Sequence, residues 1–96
     1  MGAQGNFVIR KAEKKDACLV LDFIRKIAEY ERMSRQVVAT RELLEEFVFD
    51  RKAAEVLIGE AEGRPVGFAL YFENFSTFLG RTGLHLEDLF VDPDQR

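Results

Sequence analysis

The sequence predicts an α+β fold, ordered β-α-α-β-β-β, with a four-stranded, largely antiparallel sheet and two helices. Three observations lead there. Apolar residues near the N-terminus recur first with period two and then at helical spacing. A second, shorter helical pattern follows directly. From residue 54 onward the period returns to two, punctuated by turn residues, with no further helical stretch. Paired helices followed by a meander of strands belong to α+β rather than to alternating parallel α/β architectures.

The first strand is Phe7 to Arg10, where Phe7 and Ile9 alternate with Val8 and Arg10. The period then changes. Val20, Phe23, Ile24 and Ile27 fall at i, i+3, i+4 and i+7, opposite Asp22, Arg25, Lys26, Glu29 and Arg32, which predicts an amphipathic helix from Asp16 to Met33. Asp16 suits the positive end of that helix. Ser34 to Ala39 breaks the pattern, and Thr40 is placed to cap a second helix with Leu43, Leu44 and Phe47 as its apolar stripe. Asp50 to Ala53 is a charged connector. Ala54–Ala61 and Val66–Glu73 are strands joined through the turn Glu62-Gly63-Arg64-Pro65, hence a hairpin. Asn74 to Thr82 reads as a loop and Gly83 to Asp92 as the last strand, ended by Pro93, which lacks a backbone donor.

Composition narrows the function. The chain has 96 residues and is expected to form a single domain over 1–96. Its net charge of −3, with both signs interspersed, gives no footprint for nucleic acid. No apolar run approaches the ~18 residues of a membrane span, and no signal-peptide pattern opens the chain. Cys18 is the single cysteine, which excludes an internal disulfide, fits a reducing, cytoplasmic setting and reads as a core or helix-face residue. No cluster points to a metal.

The last strand changes phase. Leu84 and Leu86 share one parity, Leu89 and Val91 the other. A regular strand cannot turn all four to one side. One extra residue near Glu87 and Asp88 would do so, which predicts a β-bulge there, the alternative being a strand buried on both faces. Two adjacent carboxylates in so apolar a strand have two readings. They pair with loop amides or Arg81, or burial raises one of them into the range of a general base.

The run Asn74-Phe75-Ser76-Thr77-Phe78-Leu79-Gly80-Arg81, followed by Leu84-His85-Leu86-Glu87-Asp88-Leu89-Phe90-Val91-Asp92-Pro93, resembles the GNAT superfamily of N-acetyltransferases. Within it the chain is most similar to the diamine (spermidine/spermine) acetyltransferase-like branch. Phe7-Val8-Ile9-Arg10, Ile27-Ala28-Glu29-Tyr30-Glu31-Arg32-Met33 and Val66-Gly67-Phe68-Ala69 carry the same likeness. The resemblance implies transfer of an acetyl group from acetyl-CoA to a small primary amine by direct attack, without a metal. It implies Glu87 as the residue that deprotonates or holds the amine, Tyr30 and Glu31 as acceptor contacts, and backbone groups of Leu89, Phe90 and Val91 as the edge that pairs with the pantetheine arm. Arg96 matches the first residue of the Gly-rich pyrophosphate loop.

Two departures qualify the expectation. Ser34 and Arg35 stand where the polyamine enzymes carry acids, which favours a smaller or amino-acid-like amine. Residues 1–96 lack the rest of the Gly-rich loop and the later general-acid tyrosine, so this length is expected to be the first part of the domain and not to turn over by itself. The competing expectation is a free-standing, non-catalytic module that binds a small ligand or a partner chain. Tyr30 has a second reading as core, Glu31 as a solvated charge, and His85 as an ordinary strand-face residue. Phe72, Phe75 and Phe78 read either as core or as the lining of an acceptor channel. An uncovered last strand and sheet face predict a homodimer or higher homo-oligomer.

Overall fold

The computed structural model describes residues 6–31 and 37–93. Strand β1 is Phe7–Lys11 and helix α1 is Ala17–Tyr30, entered through a 3₁₀ turn at Lys14–Asp16. Helix α2 begins at Arg41–Leu44 and widens into a π-helical segment, Glu45–Asp50. Strands β2 (Glu55–Ala61), β3 (Arg64–Ser76) and β4 (Arg81–Val91) follow. The sheet order is β1-β2-β3-β4, every neighbouring pair antiparallel, so the α+β meander expected from the sequence is what forms.

Both helices pack on one face of this sheet. Val20, Leu21 and Phe23 of α1 meet Leu44 and Val48 of the second helix over Val56, Ile58, Phe68 and Phe90. Phe23 stacks on Phe68, with ring centroids 5.1 Å apart and planes within 8°. The first apolar stripe is therefore the expected one, with Ile24 and Ile27 half-buried at its margin. The second needs correction. Thr40 does cap, its Oγ1 accepting from the Leu43 N–H at 3.2 Å, but Leu44 and Val48 are the buried pair, while Leu43 and Phe47 are each 43% exposed. The helix underwinds to a wider bore, the Arg51 N–H reaching back five residues to the Glu46 carbonyl at 2.8 Å. A stripe read with a 3.6-residue period loses its phase there.

Other boundaries also differ. The β2–β3 turn uses two residues, Glu62 (φ 52°) and Gly63 (φ 80°), the positive-φ pair of a I′ hairpin. Arg64 and Pro65 already belong to β3, and Pro65 is tolerated where the register slips between Gly59 and Glu60. The expected loop at residues 74–82 is mostly paired, with Asn74 opposite Gly83, Phe75 opposite Thr82 and Ser76 opposite Arg81. Its tip is held by the Leu79 N–H on Ser76 Oγ (3.2 Å) and by Gly80 at φ 67°. The α1 expectation ran to Met33, which lies outside the described residues, as do Ser34 and Arg35.

One polar group is buried deeply. Asp16, with its side chain 10% exposed, accepts from both terminal guanidinium nitrogens of Arg10 (2.8 and 3.0 Å) and from the Glu13 N–H (2.8 Å). Arg10 also reaches Glu60 at 3.3 Å, so β1, β2 and the start of α1 are tied together. The Arg10 hydrogen bonds hold the Asp16 carboxyl below the ordinary carboxylate range despite burial. A depressed acid stabilises the fold fully above its unfolded value and loses that contribution as pH falls through the folded value. Asp16→Ala is expected to cost about 1.5–3 kcal/mol at neutral pH, the range for hydrogen bonds to charged groups. The deficit relative to the unsubstituted chain should shrink in acid melts below the usual carboxylate range, and a pH-independent deficit would contradict this.

Candidate active site

Strand β4 carries the bulge that its phase change predicts. Leu70 of β3 pairs with Asp88, while the next residue, Tyr71, pairs with Leu86, so Glu87 is the extra residue. The consequence for the apolar side chains is the expected one. Leu84, Leu86, Leu89 and Val91 oppose Glu73, Tyr71, Ala69 and Gly67, all on one face of the sheet. That face points away from the helices. Leu89 and Val91 there border a groove with Phe7, Ile9, Leu57 and Gly59.

On the helix face lie Phe90, Asp88 and His85, opposite Phe68, Leu70 and Phe72. Phe90 is core. His85 packs on the Phe72 ring at 4.9 Å, and its Nε2 lies 3.6 Å from a Glu87 carboxylate oxygen. The buried carboxylate expected in this strand is not Glu87, whose side chain is 56% exposed. It is Asp88, whose carboxyl is pushed up by burial first, then by the negative charges of Glu87 and Glu31. Neither acid pairs with Arg81 in a described ion pair.

The end of α1 comes to this place. Glu31 caps the helix, its N–H bonded to the Ile27 carbonyl at 3.0 Å, and its charge acts on Asp88. Tyr30, exposed rather than core, shares an open cleft of about 480 Å³ with Lys26, Glu29, Phe90, Asp92 and Pro93. Thus Tyr30 and Glu31 on α1 and Glu87, Phe90 and Asp88 on β4 lie together, though they are far apart in sequence. Phe75 and Phe78 do not join them and are neither core nor channel lining, since both stand exposed toward the tip of the β3–β4 hairpin.

The outer edge of β4 borders no further strand among the described residues. The Asp92 N–H bonds the Val66 carbonyl at 2.7 Å, and the Phe90 carbonyl lies 2.6 Å from where a Gly67 Cβ would be. From Asp88 onward the even-numbered residues thus turn their backbone groups to β3, and alternation turns those of Leu89 and Val91 to the outer edge. An extended, amide-bearing arm can pair there as an added strand does. Phe90 serves this edge only through its neighbours. Arg96 lies outside the described residues.

Sequence reasoning named both acids but did not tell which turns inward, and it read His85 as an ordinary strand-face residue. Asp88 has the parity of Phe90, so recognising Phe90 as core would have placed Asp88 on the inner face. No sequence signal marked the approach of His85 to Glu87. Among the described residues no group of His, Cys, Asp and Glu is arranged to hold a metal ion, and no helix is long and apolar enough to cross a membrane.

Comparisons with known proteins agree with this architecture. The chain is 39% identical over 98 residues to thialysine N-epsilon-acetyltransferase of Sus scrofa, and 37% identical over 100 residues to that of Bos taurus. Each alignment covers 93% of this chain and 57% of the relative, so the chain spans little more than half the relatives' length. A crystal structure of an acetyltransferase with acetyl-CoA from Clostridium acetobutylicum superposes with a TM-score of 0.76 at 16% identity, covering 95% of this chain and 63% of that one. The family model described as the acetyltransferase (GNAT) family matches residues 20–96. With its helix-packed antiparallel meander and bulged fourth strand, the chain belongs to the GNAT acetyltransferase family.

Proposed function

We propose that residues 1–96 form the amine-facing part of an acetyl-CoA-dependent N-acetyltransferase for a small primary amine, polyamine-like or amino-acid-like. The observation that carries the reading is the meeting of Glu31, Glu87 and Asp88 beside a strand edge able to pair with an extended arm. An amine is an ammonium ion at neutral pH and must lose a proton before it can attack. Its lone pair then forms the C–N bond to the acetyl carbon, and the C–S bond of the thioester breaks. Overall the ammonium and acetyl-CoA give the acetylated amine, the free thiol and a proton.

Glu87, open to water, is the group that takes the amine's proton and passes it on. Tyr30 and Glu31 contact the acceptor. Leu89 and Val91 offer the backbone edge that fits the amides of the pantetheine arm, and acetyl-CoA supplies the activated acyl group when bound there. The relatives' name supports an acceptor like thialysine, with a terminal primary amine. A single exposed cysteine, Cys18, accords with a cytoplasmic enzyme.

Thiol release from acetyl-CoA in the presence of thialysine, measured in the protein that carries these residues, tests the reading. Glu87→Gln is expected to lower turnover by about 10²–10⁴-fold, most at low pH, with acetyl-CoA affinity little changed. Turnover unaffected across pH would assign Glu87 a structural role. Amine binding without any thiol release would favour the non-catalytic module instead.

A further inference from the structure

We infer that the cleft between the end of α2 and the β3–β4 hairpin is a second binding site, for a zwitterion with an apolar body such as an aromatic α-amino acid. Its open volume is about 670 Å³, within the range of small-molecule sites. Val48, Phe49 and Lys52 form one wall, and Phe72, Glu73 and Leu84 the other. It shares no lining residue with the cleft beside Tyr30, so it lies apart from the acceptor side.

The first wall departs from regular backbone geometry twice. Glu45–Asp50 is π-helical, a rare form that is frequent at functional sites. Lys52 then stands one residue beyond the cap Arg51 at φ 56°, where a side chain is strained and glycine is the usual occupant. A lysine kept there gives up stability, and no ion pair among the described residues offsets the loss. Its neighbouring cations are all engaged, Lys11 with Glu55 (2.9 Å), Lys14 with Asp50 (2.9 Å) and Arg51 with Glu46 (2.8 Å). On the opposite wall Glu73 accepts from Thr82 Oγ1 at 3.3 Å and, among the described residues, meets no cation.

Apolar surface lies between these two charges. Phe49 and Phe72 are half-buried, and Val48 and Val56 close the floor against the core. A polyanion in the cleft would meet Glu55 and Glu73, and a polyamine would meet Lys11 and Lys52. One carboxylate for Lys52, one ammonium for Glu73 and an apolar side chain for the rings satisfy the whole lining. Phe72 also carries His85 on its ring at 4.9 Å, so an occupant bears on the strand that holds Glu87.

Calorimetric titration of the 96-residue chain with L-phenylalanine tests this, beside phenylpropionate, which lacks the ammonium, and phenylethylamine, which lacks the carboxylate. L-Phenylalanine should bind about fivefold tighter than either, the upper worth of one exposed ion pair. Lys52→Gly should remove the advantage over phenylethylamine and raise the melting temperature by several degrees, because the strain at positive φ is relieved. Glu73→Gln should remove the advantage over phenylpropionate. Backbone amide NMR shifts on adding L-phenylalanine should concentrate at Lys52, Phe72 and Glu73. No preference for the zwitterion, a preference that survives Lys52→Gly, a Lys52→Gly chain that melts no higher, or shifts centred on Tyr30 would each overturn the inference. The titration needs no acetyl-CoA, so its outcome is independent of the transferase reading.

Discussion

Phe68→Ala is expected to cost about 3–5 kcal/mol, the range for removing a large buried aromatic side chain. Phe68 is 3% exposed, and Ile58, opposite it on β2, is completely buried. Its ring stacks on Phe23 of α1, and Phe23 in turn lies 5.9 Å from Phe90 of β4. Three elements therefore meet on one side chain, and the surrounding strands cannot collapse into the space that it would leave. A domain of this size has about 5–15 kcal/mol of stability in total. Circular-dichroism melts should show a midpoint lower by more than about 10 °C. Phe75→Ala, on a residue 63% exposed, is the control and should change stability by about 0.5 kcal/mol or less. A loss below about 1 kcal/mol for Phe68→Ala would mean that the aromatic trio is not the centre of the core.

The chain is also expected to associate with itself. Phe7, Ile9, Leu84, Leu86 and Leu89 are each more than half exposed, and they occupy the sheet face opposite the helices. Contiguous apolar surface of this kind seeks a partner, and the outer edge of β4 adjoins it. The charges bordering it include Glu73, opposite Leu84, and Lys11, paired with Glu55 at 2.9 Å. We therefore propose a homodimer or higher oligomer at micromolar concentration, with this face in the interface. Light scattering should report at least twice the 11.0 kDa chain mass. Leu89→Lys should return it to the monomer, since Leu89 borders the groove and a lysine there would be desolvated in any such contact. A monomer for the unsubstituted chain would refute the proposal.

Local period revealed most of this fold. Val20 and Phe23 announced α1 because an apolar stripe on a regular helix is a local property. The phase change between Leu86 and Leu89 announced the bulge because side-chain alternation in a strand has no tolerance for an added residue. The sequence was less informative where geometry departed from a standard period. The π-helical turn shifted burial from Phe47 to Val48, and polar residues from Asn74 to Thr82 read as a loop although a hairpin needs only two exposed strands. Within the site, the position of the acids was legible and their burial was not. Which of two neighbouring carboxylates turns inward depends on which strand residue opposes it, and Leu70 became the partner of Asp88 only through the tertiary pairing. His85 met Glu87 for the same reason.

The bulge also marks a mechanical boundary. β2 follows β3 only as far as Tyr71, opposite Glu55, and from Phe72, opposite His85, to the hairpin tip the two long strands pair only with each other among the described residues. A two-stranded ribbon is marginally stable in water. Its amides should exchange by local opening while those of the four-stranded part wait for global unfolding. Leu86, opposite Tyr71, is the last residue of β4 inside the supported part, and His85, opposite Phe72, is the first outside it. Bending of the ribbon at this joint carries His85 along and leaves Glu87 and Asp88 in place. His85 and Glu87, 3.6 Å apart, thus belong to different rigid units, one able to swing and one fixed.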